Sequence, residues 1–103
     1  MERRVHVAIY IVLGSFTDQG IRAVKDTTKR AEALRGIGKK VGVTVKEVYW
    51  TLGQYDVATI VEAPDDASVT AFGLSAGALG NVRTQTLRAF SADEMGKILG
   101  RMA

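Results

Sequence analysis

Residues 51–66 read TLGQYDVATIVEAPDD. Tyr55 to Ala63 alternates in the manner of a strand, and it is rich in Val, Ile, Thr and Tyr. Gly53-Gln54 stands before it and Pro64 after it. The residues upstream, Thr44 to Leu52, form a second such run. Two strands separated by two residues predict a hairpin, and a type II′ turn needs positive φ at its first central position, which Gly53 supplies. On this reading Tyr55 and Asp56 open the returning strand and point to opposite faces, so they do not form a tight catalytic pair. Pro64-Asp65-Asp66 ends that strand and starts a helix, with two acids at the positive end of its dipole.

Working outward, Val5 to Gly14 predicts a first strand with two apolar faces. Val5, Val7, Ile9, Ile11 and Leu13 lie on one, and Ala8, Tyr10 and Val12 on the other. A strand of that kind is covered on both sides. Thr17 caps a helix whose apolar stripe is Ile21, Val24, Thr28, Ala31, Leu34 and Val41, with Gly36, Gly38 and Gly42 loosening and finishing its end. In the second strand Val48, Trp50 and Leu52 share a face, but Val43 and Val45 fall on the opposite parity, so a bulge or a switch of faces is expected. The helix after Pro64 runs to about Leu79 with Val69, Phe72 and Ala76 on one stripe. It also carries Gly73 and Gly77, four apart, for close helix–sheet packing or for ligand space. Asn81 to Phe90 is an unusually polar fourth strand. Ser91-Ala92-Asp93-Glu94 is a capping box for a last helix, docked by Met95, Ile98 and Leu99.

The order strand, helix, strand, strand, helix, strand, helix is that of an α+β, ferredoxin-like βαββαβ sandwich with an extra C-terminal helix. Residues 1–103 make one domain. Its helices cover one sheet face only. The apolar second face of the first strand therefore predicts a homodimer through the sheet, with a higher oligomer open.

Apolar residues make up 47% and charged residues 24%, the balance of a soluble globular chain. The absence of cysteine excludes a thiolate nucleophile and a Cys-based zinc site, and it fits a cytoplasmic setting. The leader MERRVHVAIYIVLGSF faintly imitates a secretory signal, but it alternates like a strand and no small-residue cleavage site follows. No apolar run is long enough to cross a membrane. Seven basic residues against three acidic ones lie between Asp18 and Lys40, which leaves the remainder slightly acidic. The plain reading is a solvated helix face with pairs such as Arg22–Asp26 and Asp26–Arg30; the functional one is a surface for an acidic partner. No aromatic residue interleaves with these charges, so nucleic acid is not the expected partner.

Classical catalytic constellations are missing. His6 is the only histidine, too little for a metal site or a serine triad, and no G-x-S-x-G or Walker spacing occurs. No cofactor is expected. What remains is a polar set on the strands, including Tyr10, Tyr49, Trp50, Tyr55, Asp56, Asn81, Arg83, Gln85 and Arg88. Asp56, Arg83 and Trp50 are the candidates for catalysis. Tyr10, Trp50, Tyr55, Arg83, Gly73 and Gly77 are the candidates for holding a small-molecule ligand. The structural alternative makes Trp50 a core residue and pairs Arg83 or Arg88 with Asp56 or Glu47 across strands or across a dimer.

LGQYDVATIVEAPDD, with GNVRTQTLRAF at 80–90, VLGSFTDQGIRAVKDT near the start and VGVTVKEVYWTLG in the centre, resembles the GYD domain family. The family is named for the residues that stand here as Gly53, Tyr55 and Asp56. The resemblance runs from about Tyr10 to Leu99 and implies a dimeric α/β barrel, two ferredoxin-like protomers packed sheet to sheet. It implies no settled activity. The wider superfamily spans cofactor-independent monooxygenases, isomerases and ligand-sensing domains, so two functions are carried forward. One is a small ligand-binding or accessory protein. The other is a cofactor-independent monooxygenase or isomerase of a small aromatic or polyketide-like substrate.

Overall fold

The computed structural model describes residues 7–103. The elements are β1 (Ala8–Phe16), α1 (Asp18–Arg22), a 3-10 turn (Val24–Asp26), α2 (Thr27–Val41), β2 (Thr44–Trp50), β3 (Val57–Ala63), α3 (Asp66–Ala78), β4 (Val82–Ala89) and α4 (Ala92–Leu99). The four strands form one antiparallel sheet in the order β2-β3-β1-β4. This is the expected ferredoxin-like arrangement. The start expected for the first strand at Val5, and His6, lie outside the described residues.

The core fills the helix-covered face. Tyr10 and Val12 of β1, Val61 and Ala63 of β3, Val43 and Val45 around the start of β2, and Val69 and Phe72 of α3 make one buried cluster. Burying each of the Val and Phe side chains is worth about 1.5–3 kcal/mol against leaving it in water. Val45 and Val48 both meet this core although they differ by an odd number of positions. The bulge expected from their parity is present: Val45 faces Val61, Glu47 faces Ile60, and Lys46 is the extra residue between them. The other sheet face carries Ile9, Ile11, Leu13, Ala58, Ile60 and Leu87, matched by register as Ile11↔Ile60 and Ile11↔Leu87. No helix covers it among the described residues.

Two expectations are corrected. The first helix does not run unbroken from Thr17 to Val41; it breaks at Ala23 and passes through the 3-10 turn. Gly20 explains why. A Cβ there would lie 1.9 Å from the Asn81 carbonyl oxygen, so α1 is pressed onto the start of β4, where Asn81 O accepts from Thr17 N. Arg30 then spans the break, donating to Ala23 O at 2.9 Å and Gly20 O at 3.1 Å. The i,i+4 pairs through Asp26 accordingly give way to one i,i+3 pair, Arg35–Glu32. The end of α2 is as expected: it runs to Val41 and Gly42, at φ +80, is its left-handed cap. Secondly, Met95 and Leu99 do not dock α4, and Ile98 is only half-buried. The helix has the expected reciprocal Ser91–Glu94 box, but none of its residues is buried, and Met95 and Leu99 are exposed.

Candidate functional site

The β2–β3 connection decides what Asp56 does. It is wider than a two-residue turn: Trp50 pairs with Val57, and Thr51 N donates to Asp56 O at 2.8 Å. Leu52 to Tyr55 form the loop between them. Gly53 takes φ +126, the backbone role expected of it. Asp56 N donates to Gly14 O at 2.8 Å, and Asp56 Oδ2 accepts from Phe16 N at 2.8 Å. The carboxylate thus continues the β1–β3 ladder past the last paired residues by accepting a main-chain donor. Among the described residues it makes no ion pair. Tyr55 reaches from the same loop to hydrogen-bond Gln85 through its hydroxyl.

A cavity of about 70 Å³ opens between the sheet, α2 and α3. Val12, Leu34, Val57, Phe72 and Leu79 give it apolar walls, while Arg30, Thr59 and Asn81 supply polar groups. Trp50 lines it as well and donates its indole N–H to Thr27 Oγ1 at 3.0 Å. Arg30 Cζ stands 5.8 Å from the centre of the Phe16 ring, which also borders the cavity.

A second cluster lies at the opposite end of β1. The Tyr10 hydroxyl donates to Asp66 at the start of α3. That bond is the largest of the effects that hold the Tyr10 hydroxyl above its ordinary pKa, with burial and the Asp66 charge adding to it. Arg88 stands over the Tyr10 and Phe90 rings at 5.6 and 4.5 Å and pairs with Glu94 of α4 at 3.3 Å. The Ser91 backbone N–H holds the Glu94 carboxyl below the usual range; burial opposes it, and Arg88 adds to the lowering. These contacts join β1, α3, β4 and α4.

The sequence-derived candidates therefore separate. Trp50 lines the cavity. Tyr10 is buried with the second cluster. Arg83 pairs in register with Ser15 on the open face, the side of the sheet opposite Trp50. Tyr55 and Asp56 sit at the loop. Gly73 and Gly77 are on α3: a Cβ at Gly73 would meet Thr84 Oγ1 at 3.4 Å, and one at Gly77 would lie 3.9 Å from Val82 O. Arg88 pairs within the chain, with Glu94 rather than with Asp56 or Glu47. Sequence reasoning missed Arg30, Thr59 and Asn81 as cavity residues. Arg30 carried one signal, its place beside Ala31 on the apolar edge of the helical stripe. Among the described residues no group of three or more His, Asp or Glu is placed to hold a metal ion, and no helix is long and apolar enough to cross a membrane.

Arg22 of α1, Lys25 of the 3-10 turn, and Lys29, Lys39 and Lys40 of α2 are all exposed. Lys39 and Lys40 also oppose the negative end of the α2 dipole.

Two comparisons bear on these surfaces. The family model described as the GYD domain matches residues 10–99. A protein of Thermus thermophilus, named glutamine synthetase and cystathionine beta-lyase binding protein, is 34% identical over 87 residues; the match covers 84% of this chain and 92% of that protein.

Proposed function

The chain belongs to the GYD domain family, and from that premise we propose that it is a single-domain accessory protein that acts by binding an enzyme. The observation that carries this reading is the near end-to-end match to a relative named for binding two enzymes. The geometry is consistent with it. Asp56, the acid in the family's named residues, is committed to the Phe16 N–H, and Trp50 and Arg83 stand on opposite faces of the sheet. The oxygenase or isomerase reading would need an acid or base converging on the cavity, and those candidates do not supply one.

In this proposal the open sheet face closes against a second copy. Ile9, Ile11, Leu13, Ile60 and Leu87 form a contiguous apolar strip there, of the kind that marks an interaction surface. Closing it leaves the helices outermost, with the exposed Lys25 and Lys29 offered to an acidic patch on a cytoplasmic enzyme. The relative's name makes glutamine synthetase and cystathionine β-lyase the first partners to try.

The test is biolayer interferometry with the purified host forms of those two enzymes, at low and at raised salt. Saturable binding to either, weakened by salt and abolished in Lys25→Glu/Lys29→Glu, is the expected result. Failure of both enzymes to bind would overturn the accessory reading as stated. Sedimentation of the Ile60→Lys variant separates the dimer from partner binding: wild type is expected as a dimer and the variant as a monomer. A monomeric wild type at micromolar concentration would refute the dimer.

A further inference from the structure

We infer that the cavity between the sheet, α2 and α3 is a binding site for a small organic acid with a short branched aliphatic tail, its carboxylate received by Arg30. This goes beyond enzyme binding and does not depend on it. Three observations meet here.

The first is size and lining. A cavity of about 70 Å³ walled by Val12, Leu34, Val57, Phe72 and Leu79 is roughly half the volume of an apolar cavity known to hold benzene. It suits a tail of about four carbons. Branched aliphatic groups match walls built of Val and Leu better than a flat ring does.

The second is the cation. Arg30 is half-buried, and among the described residues no carboxylate lies within ion-pair distance of it. A guanidinium has five N–H donors. Ala23 O and Gly20 O take one each from Nη1 and Nη2, and the remaining donors are available. A cation withdrawn from water without a counter-charge gains most from an anion delivered to it. Planar, bidentate recognition of a carboxylate is the chemistry Arg performs best.

The third is preorganisation. The two carbonyls and the Phe16 ring fix the guanidinium before any ligand arrives, so little side-chain freedom is lost on binding. Asn81 is fixed in the same way. Its Oδ1 accepts from Gln19 Nε2 at 3.0 Å, and the residue lines the cavity.

Trp50 lines the cavity and is the chain's one tryptophan, so its fluorescence reports occupancy directly. The experiment titrates the full chain with 3-methylbutanoate and, separately, with its uncharged match 3-methylbutanamide. Trp50 emission is followed, and ligand-observed NMR runs as an independent readout. A saturable response to the acid is expected, with the amide at least about tenfold weaker, the share of a charge-assisted bond. Arg30→Gln is expected to abolish that preference. Because Arg30 also bridges α1 and α2, the Ala31→Leu variant provides a second line: Ala31 lines the cavity from α2, so the larger side chain fills it with Arg30 intact, and the variant is expected to lose both ligands. The proposal is overturned by no saturable response to the acid at millimolar concentration. Equal affinity for acid and amide in the wild-type protein, or undiminished binding in Ala31→Leu, would overturn it as well.

Discussion

Replacing Asp56 by alanine removes one interaction and leaves its neighbours in place. The backbone bonds Asp56 N→Gly14 O and Thr51 N→Asp56 O, both 2.8 Å, do not involve the side chain. What is lost is the carboxylate acceptor for Phe16 N. A hydrogen bond to a charged group is worth about 1.5–3 kcal/mol, and a donor left unpaired in a partly buried place costs a similar amount. Asp56 and Phe16 are both half-buried, so water can reach the orphaned N–H and the lower end applies, about 1.5–2 kcal/mol. For a chain of this length that is a fall in Tm of roughly 6–15 °C. Asp56→Asn keeps an acceptor oxygen without the charge and should lose about 0.5–1 kcal/mol. Urea unfolding at one fixed protein concentration measures both, since a self-associating protein would otherwise shift with dilution. Amide hydrogen exchange gives the local signature: Phe16 N–H should lose protection in the alanine variant and keep part of it in the asparagine variant. Equal stability of wild type and Asp56→Ala, with Phe16 still protected, would refute the assignment and reopen a chemical role for the carboxylate.

Two glycines in the same segment of chain should answer the same substitution with opposite signs. Gly20→Ala puts a methyl group 1.9 Å from the Asn81 carbonyl oxygen, which should cost about 2–4 kcal/mol once the forced shift is set against the better helix propensity; Gly36→Ala meets nothing within 4 Å and should gain up to about 1 kcal/mol, both read from urea midpoints. Tyr10→Phe removes the bond to Asp66 and should cost about 1–2 kcal/mol at neutral pH. The folded-state pKa of Tyr10 is raised, so its contribution is present below the ordinary value of 10.0 and fades as pH rises through the folded value; the variant should lose that alkaline decline. At the acid end the sign reverses. Asp65 and Glu94 are both held low, first of all by the backbone N–H groups of Ser68 and Ser91, so their contribution is present above their ordinary values of 3.8 and 4.5 and is lost as pH falls below them; Glu94→Gln should flatten that acid limb in a pH series of urea midpoints.

The element order was legible because each strand and helix announces itself locally. Alternation marks β3, the S-x-x-E box marks the start of α4, and the parity conflict between Val45 and Val48 marks the bulge that reconciles them. What the chain did not disclose depends on contacts between distant segments. The break at Ala23 follows from Gly20 meeting Asn81, a contact across 61 positions that no helical stripe encodes. The β2–β3 loop is set by Asp56 reaching β1, so counting residues from Gly53 gave too tight a turn. The site was harder still. Periodicity tells that a helix has an apolar face, yet Arg30 borders that face and is drawn inward by the carbonyls of Gly20 and Ala23. Its neighbour Lys29 and the next cation along the helix, Arg35, stay exposed. Only the place of Arg30 beside Ala31 on the edge of the apolar stripe sets it apart in the sequence. Trp50 was legible as a cavity residue because a large ring among strand residues must lie against something.

The extra residue at Lys46 has a consequence for the chain in a crowded cell. β2 is one of the two outer strands of the sheet, and an outer strand with regular spacing invites other chains to add themselves by main-chain pairing. Lys46 interrupts that spacing near the middle of β2. Its ammonium, 3.9 Å from the Glu62 carboxylate, stays half in water. An incoming strand would have to match an irregular ladder and bury or displace a charge in the same step. The residue that turns Val48 and Trp50 toward the core thereby also keeps the edge of the sheet from acting as a template for aggregation.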